Sequence, residues 1–145
     1  MARIEESVEI KRPLDKVFAY MTDAKSWQKW QSIILEAEQT SQGPMRVGTT
    51  FKGISRMMGV SMKWTAKATE YELNKKWGKN ITCGGMTVEE LATYDPIEGH
   101  IKVTIMYDME VGGFLKLFSP MMVSSMQKET KKSLGNLKSI LEAQT

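Results

Sequence analysis

The sequence predicts an α+β fold: an antiparallel sheet of about six or seven strands with one long C-terminal helix lying across it. Three observations carry this prediction. Residues 101 to 111 alternate apolar and polar side chains along their whole length, placing Ile101, Val103, Ile105, Tyr107, Met109 and Val111 on one face. The chain then passes through Gly112-Gly113 into an amphipathic helix carrying Met122, Met126, Leu134, Leu137 and Leu141 at helical spacing. Between the N-terminus and these two elements lies a run of strand-like segments separated by short turns. A one-sided sheet and a lone helix each need cover for an apolar face, and each supplies it to the other.

Taken in order, Ile4 to Ile10 alternates with one irregularity near Glu6, as an edge strand does. Pro13 opens a short helix in which Val17, Phe18 and Met21 recur at helical spacing; a proline is tolerated in a first turn because its missing N–H has no partner there. Asp23 caps a second short helix that holds Trp27 and Trp30 on one face. Strands are then expected over Ile33 to Ser41 and Thr49 to Met57, with the turn Gln42 to Met45 between them. After Gly59 comes a strand that turns Met62, Trp64, Ala66 and Ala68 inward. Two more follow, over Trp77 to Thr82 and Met86 to Tyr94, joined by Gly84-Gly85. A turn over Asp95 to Gly99 leads into the last strand, and Ser119-Pro120 supplies the cap and first-turn proline of the long helix.

At 145 residues the chain reads as one domain over 1–145, large enough to bury a core without staples. Its 41% hydrophobic and 26% charged residues are ordinary for a globular protein, and no apolar run approaches the roughly 20 residues that span a bilayer. The charged start, Met1 to Glu6, has no apolar leader core, so the expected location is cytoplasmic. The single cysteine, Cys83, has no partner for an internal disulfide and reads as a half-buried strand thiol. The net charge of +3 is spread along the chain, with short lysine clusters at Lys75, Lys76 and Lys79 and at Lys128, Lys131 and Lys132 that read as solvated surface. No basic face interleaved with aromatic platforms is present, so no nucleic-acid partner is expected. Either a monomer or a homodimer through the first strand is compatible with this pattern.

The order of elements, together with Val8-Glu9-Ile10, Pro13, Val17-Phe18, Asp23, Trp30, Val47-Gly48-Thr49, Phe51, Glu70-Tyr71, Asp95-Pro96, Gly99, Gly112-Gly113 and the helix ending Leu137 to Glu142, resembles the helix-grip fold of the SRPBCC, or START-like, superfamily, in particular its polyketide cyclase/dehydrase-like members. The resemblance covers nearly the whole chain. It implies a curved sheet wrapped around the long helix, an apolar cavity between them, and binding or transport of a small hydrophobic molecule such as a lipid or a polyketide or other aromatic compound. It fixes no reaction, since relatives include carriers, cyclases and co-chaperone domains.

Side-chain alternation nominates Phe51, Met57, Met62, Trp64, Tyr107 and Met109 from the strands, Met122, Met126 and Thr130 from the long helix, and Trp30 from the second short helix as ligand-contacting residues. Twelve methionines is a high count for this length; their flexible side chains either reshape a pocket around varied ligands or fill an irregular core. Trp27 and Trp30 read as core anchors where the short helices close the grip, ahead of a ligand-stacking platform.

Candidates for chemistry are few. The one histidine, His100, falls at a hairpin mouth, and one His with one Cys is too few for the usual metal clusters; no metal or cofactor is expected. The two Gly-Gly pairs lack the spacing and lysine of a phosphate loop, and no serine has a histidine partner. Glu90 stands out. The alternation that turns Met86, Val88 and Ala92 inward turns Glu90 inward too, and a carboxyl facing an apolar cavity is pushed toward its neutral form, as a general acid/base requires. With Tyr107 or Tyr94 as hydroxyl donor, it would serve cyclase or dehydrase chemistry. Against this stand a slip of one residue, which would expose Glu90, and a pairing with Arg56 or a lysine. Three functions follow: a binding module for a hydrophobic ligand, a cyclase/dehydrase-type enzyme using Glu90 and Tyr107, and a protein-interaction or co-chaperone-like module.

Overall fold

In the computed structural model, which describes residues 2–112 and 119–144, ten elements follow in the order β1 Ala2–Ile10, α1 Leu14–Thr22, α2 Ala24–Trp30, β2 Ile34–Gln39, β3 Thr50–Met57, β4 Val60–Glu72, β5 Lys76–Cys83, β6 Met86–Ile97, β7 His100–Val111 and α3 Ser119–Ala143. The seven strands form one antiparallel sheet in the order β1-β7-β6-β5-β4-β3-β2. The meander from β2 to β7 uses only hairpin neighbours. The first strand then closes on the last, so β1 and β2 form the two edges.

Each boundary has a local cause. Pro13 occupies the N-cap position of α1, one residue before the first turn where the sequence places it. Asp23 caps α2 with its side chain, which accepts from the Lys25 N–H at 3.0 Å. The hairpin between β6 and β7 is tighter than the expected Asp95-to-Gly99 turn. Pro96 and Ile97 still pair, with Ile101 and His100, and Gly99 takes a φ of 73° that a Cβ would resist. Ser119 is the first described residue of α3 and Pro120 lies in its first turn, while Gly113 lies outside the described residues.

The irregularity near Glu6 is not a bulge. β1 pairs with β7 in unbroken register, and Glu6 shares its inward face with Ile4, Val8 and Ile10. Glu6 meets α3 there, with Lys131 at 3.8 Å and Gln127 at 3.4 Å. Bulges occur instead between Ile34 and Glu36 in β2 and between Ala68 and Glu70 in β4, where they add twist and bend the sheet.

Helix α3 buries Met122, Met126, Thr130, Ser133, Leu134, Leu137 and Leu141. Its C-terminal half is seated by fully buried Leu137 and Leu141, each contributing about 1.5–3 kcal/mol. Polar ties hold the same half. Glu142 accepts from the Lys11 N–H at 3.0 Å, Lys138 donates to the Glu9 carbonyl at 2.7 Å, and Ser133 accepts from the Ser32 N–H at 2.9 Å.

A second cluster lies where α1 and α2 close on the sheet. Phe18 meets Tyr94 and Tyr71 at 5.2 and 5.6 Å between ring centroids, and Phe51 meets Trp27 and Trp77 at 4.9 and 5.9 Å. Tilted and edge-on pairs of this kind add about 0.5–1.5 kcal/mol each beyond area burial. The Trp27 indole N–H donates to the Met21 carbonyl at 2.7 Å, locking α2 to α1.

Candidate functional site

A cavity of about 60 Å³ lies inside the grip, between the sheet and the N-terminal half of α3. Met57, Met62, Met86, Met109 and Met126 supply much of its wall, with Ile33, Ile34, Ile81 and Val88 beside them. Trp27 and Trp64 close one side, and Gln31, Ser55, Cys83, Lys79, Glu90 and Tyr107 bring polar atoms to it. At about 15 Å³ per water centre this volume holds about four waters, less than half of the roughly 150 Å³ that takes a benzene, so an aromatic ring enters only where the methionine side chains move aside.

The polar residues come from neighbouring strands at one level. Lys79 of β5 pairs with Glu90 of β6, Glu90 with Tyr107 of β7, and Tyr107 with Ile4 of β1. On the other side of Lys79 the sheet places Ala68, which keeps the row clear of a second large side chain. Lys79 Nζ lies 3.5 Å from Glu90 Oε2, with side chains only 4% and 6% exposed. Nζ also sits 3.6 Å from the centre of the Trp27 ring, a cation–π contact in a desolvated setting.

Burial and charge act on this row in opposite directions. Removal from water lowers the Lys79 pKa, and the Glu90 carboxylate pulls it back up in part. Tyr107 is pushed well above the ordinary tyrosine range by burial first, then by the Glu90 charge and a hydrogen bond with it; Tyr94 is raised by burial and Glu90 as well. Both hydroxyls therefore keep their protons at neutral pH and can donate.

Of the residues the sequence nominates, Glu90, Tyr107, Met57, Met62, Trp64, Met109 and Met126 meet at this cavity. Trp30, Phe51, Met122 and Thr130 are buried but stand off its wall. Phe51 is taken up by Trp27 and Trp77, and the Thr130 hydroxyl donates to the Met126 carbonyl at 2.7 Å within α3. On α2 it is Trp27, not Trp30, that reaches the cavity. The reading of Lys79 as solvated surface is overturned: it is 3% exposed and is the lysine that pairs with Glu90. Strand alternation held the signal, because Lys79 stands between Trp77 and Ile81 and in phase with Cys83.

Trp64 has two further features. Its indole Nε1 is buried and has no hydrogen-bond partner among the described residues. Its neighbour across the β3–β4 pair is Gly53, where an added Cβ would collide with the Glu36 carbonyl oxygen and come within 2.5 Å of the indole ring. The bare backbone at Gly53 is what admits the indole.

The sequence profile of the polyketide cyclase / dehydrase and lipid transport family matches residues 1–142. The chain belongs to this family. As a family member it adopts the START-like helix-grip fold, and solved structures agree. A protein of Thermus thermophilus superimposes with a TM-score of 0.84 at 15% identity, covering 99% of this chain and 100% of that one. A START superfamily protein of Mycobacterium smegmatis gives 0.84 at 12% identity, covering 99% of each. The Zhui aromatase/cyclase of Streptomyces sp. R1128 gives 0.79 at 11% identity, covering 97% of this chain and 93% of that one. No protein of curated function matches the sequence. Among the described residues, this family member has no helix long and apolar enough to cross a membrane and no group of three His, Cys, Asp or Glu side chains placed to hold a metal ion.

Proposed function

We propose that the chain, acting as one domain, binds a small hydrophobic molecule in the cavity between sheet and α3. The observation that carries this reading is a wall of methionine, tryptophan and branched aliphatic side chains that closes on a buried polar row, Lys79, Glu90 and Tyr107. Apolar walls supply affinity, and a few fixed polar groups supply orientation. As the cavity stands it holds only a few non-hydrogen atoms, and the flexible methionines open it to an aromatic ring or a lipid-like molecule by changing rotamer. Family membership supports the same class of ligand. The protein works in the cytoplasm without nucleic acid, as a monomer or homodimer. Native mass spectrometry of the protein purified from its host, followed by solvent extraction, tests the reading. A reproducible apolar adduct that raises the melting temperature when added back is expected. A bare mass, together with a specific protein partner in a pull-down, would favour an interaction module instead.

A second reading, an enzyme of cyclase or dehydrase type, is favoured by one observation: Glu90 and the protonated Tyr107 reach the same cavity side by side. Glu90 would move a proton at carbon while Tyr107 donates to the ligand's carbonyl oxygen. Glu90→Gln then abolishes turnover of the extracted ligand while leaving its affinity within about threefold; unchanged turnover rules this reading out.

A further inference from the structure

Lys79 and Glu90 form a compensated pair, and the compensation sets what else the cavity can hold. An ammonium has three N–H donors. In Lys79 one side faces the Glu90 carboxylate and another the Trp27 ring, so a ligand oxygen has one remaining direction of approach. The cavity thus combines an N–H donor still able to serve an acceptor with a charge balance that is already closed.

We infer that the Lys79–Glu90 pair makes this cavity selective for a neutral ligand carrying a carbonyl oxygen and makes it reject the matching carboxylate. The inference rests on the binding reading above and names the ligand class for that site. A carbonyl oxygen accepts a hydrogen bond from Lys79 and adds no charge. A carboxylate would also find the donor, but it would place a second negative charge beside Glu90 among apolar walls, where an uncompensated ion is costly. A hydrocarbon of the same shape fills the space and leaves the ammonium donor unused. The expected order of affinity is therefore carbonyl, then hydrocarbon, then carboxylate. Glu90 is the specificity-determining residue: without its charge, Lys79 becomes the uncompensated ion and an anionic ligand becomes the preferred one.

Three probes of one-ring size separate these cases: acetophenone, ethylbenzene and benzoate, titrated calorimetrically into the intact protein at about pH 7. Acetophenone should bind at least about tenfold more tightly than ethylbenzene, the factor expected of one net hydrogen bond, with benzoate weakest. Glu90→Gln should make benzoate the tightest of the three. The double variant Lys79→Met, Glu90→Leu removes the ammonium donor and both charges together and should narrow the preference for acetophenone over ethylbenzene, with the Tyr107 hydroxyl the polar donor left at the site. Equal binding of acetophenone and ethylbenzene by the native protein overturns the inference, as does benzoate binding as tightly as acetophenone or an unchanged order in Glu90→Gln. If Glu90→Gln does not fold, the double variant decides, and an undiminished preference for acetophenone overturns the inference. Failure of all three probes, ethylbenzene included, overturns the binding reading itself; ethylbenzene binding without the expected order overturns the selectivity alone.

Discussion

The two ends of the sheet's inner face are both lined by apolar side chains, and they are packed differently. Where α1 and α2 close the grip, Phe18, Phe51, Tyr71, Trp77 and Tyr94 meet ring against ring at centroid distances of 5.2 to 6.5 Å. Toward the N-terminal half of α3, methionines dominate and a cavity remains. Rigid rings with two side-chain torsions define one packing, whereas unbranched methionines with three tolerate a void and many fillings. Trp27 stands at the boundary. Its ring packs on Phe51, Trp64 and Trp77 and carries Lys79 on its face. A pocket of this kind is held open by the rigidity of its neighbour: the aromatic end fixes the sheet and the short helices so that the methionine end need not.

Substitutions that strike the boundary test this division most severely. Trp27→Ala removes a fully buried ring and the π face under an ammonium, and should cost about 5 kcal/mol, the upper end for a large aromatic; urea unfolding measures it. Lys79→Met leaves the Glu90 carboxylate buried without its counter-charge and should cost about 3–4 kcal/mol by the same assay, with most of the loss recovered when Glu90→Leu is added. At the methionine end, Met126→Ala borders space that already exists and should cost only about 2 kcal/mol while admitting two-ring ligands that the native protein binds weakly. A cost equal to that at Trp27 would dissolve the distinction between the ends.

Alkaline titration separates the buried groups further. Lys79 has a depressed folded pKa, so between that value and the ordinary lysine value near ~10.4 the unfolded chain binds more protons and stability rises with pH. Tyr94 and Tyr107 work the other way: their folded pKa values are raised, so their contribution is complete below about pH 10 and is lost as the unfolded tyrosines ionise above it. Tyr94→Phe with Tyr107→Phe should flatten the loss of unfolding free energy between about pH 10 and 11, by about 1 kcal/mol per pH unit for each tyrosine, as measured by urea unfolding. The smallest effect is expected outside the grip. Arg3→Ala breaks the ion pair to Asp108 at 2.8 Å, but the arginine is 64% exposed and solvent screens the pair, so the urea midpoint should be unchanged within the scatter of the same assay.

Much of the fold was legible because alternation and helical spacing are local signals. β7, β4 and α3 bury the residues their periodicity nominates, and Asp23 caps α2 through a contact two residues away. The site was legible in part, for a different reason. Glu90 and Tyr107 face inward because the strand phase holds, but the lysine that faces Glu90 looked solvated because Lys75 and Lys76 precede it closely in the chain. Pairing across β5 and β6, not composition, decides its fate. Trp27 and Trp30 share a helical face, and helical spacing alone does not say which one meets the cavity; the Trp27 N–H bond to Met21 and its stack on Phe51 do. Cavity volume is set by side-chain rotamers and sheet bend, which have no local pattern.

One of the smallest features of the sheet governs one of its largest side chains. At position 53 a single hydrogen stands where any other residue would present a carbon, and the Trp64 indole occupies the difference. The residue acts as a gauge for the wall: its thickness there is that of bare backbone plus one flat ring. Adding a methyl group at 53 would force either the indole or the β2 backbone to yield, and a shift of the indole would be felt inside the cavity by a change on a neighbouring strand. The dimensions of the binding space are thus written partly in a residue with no side chain of its own.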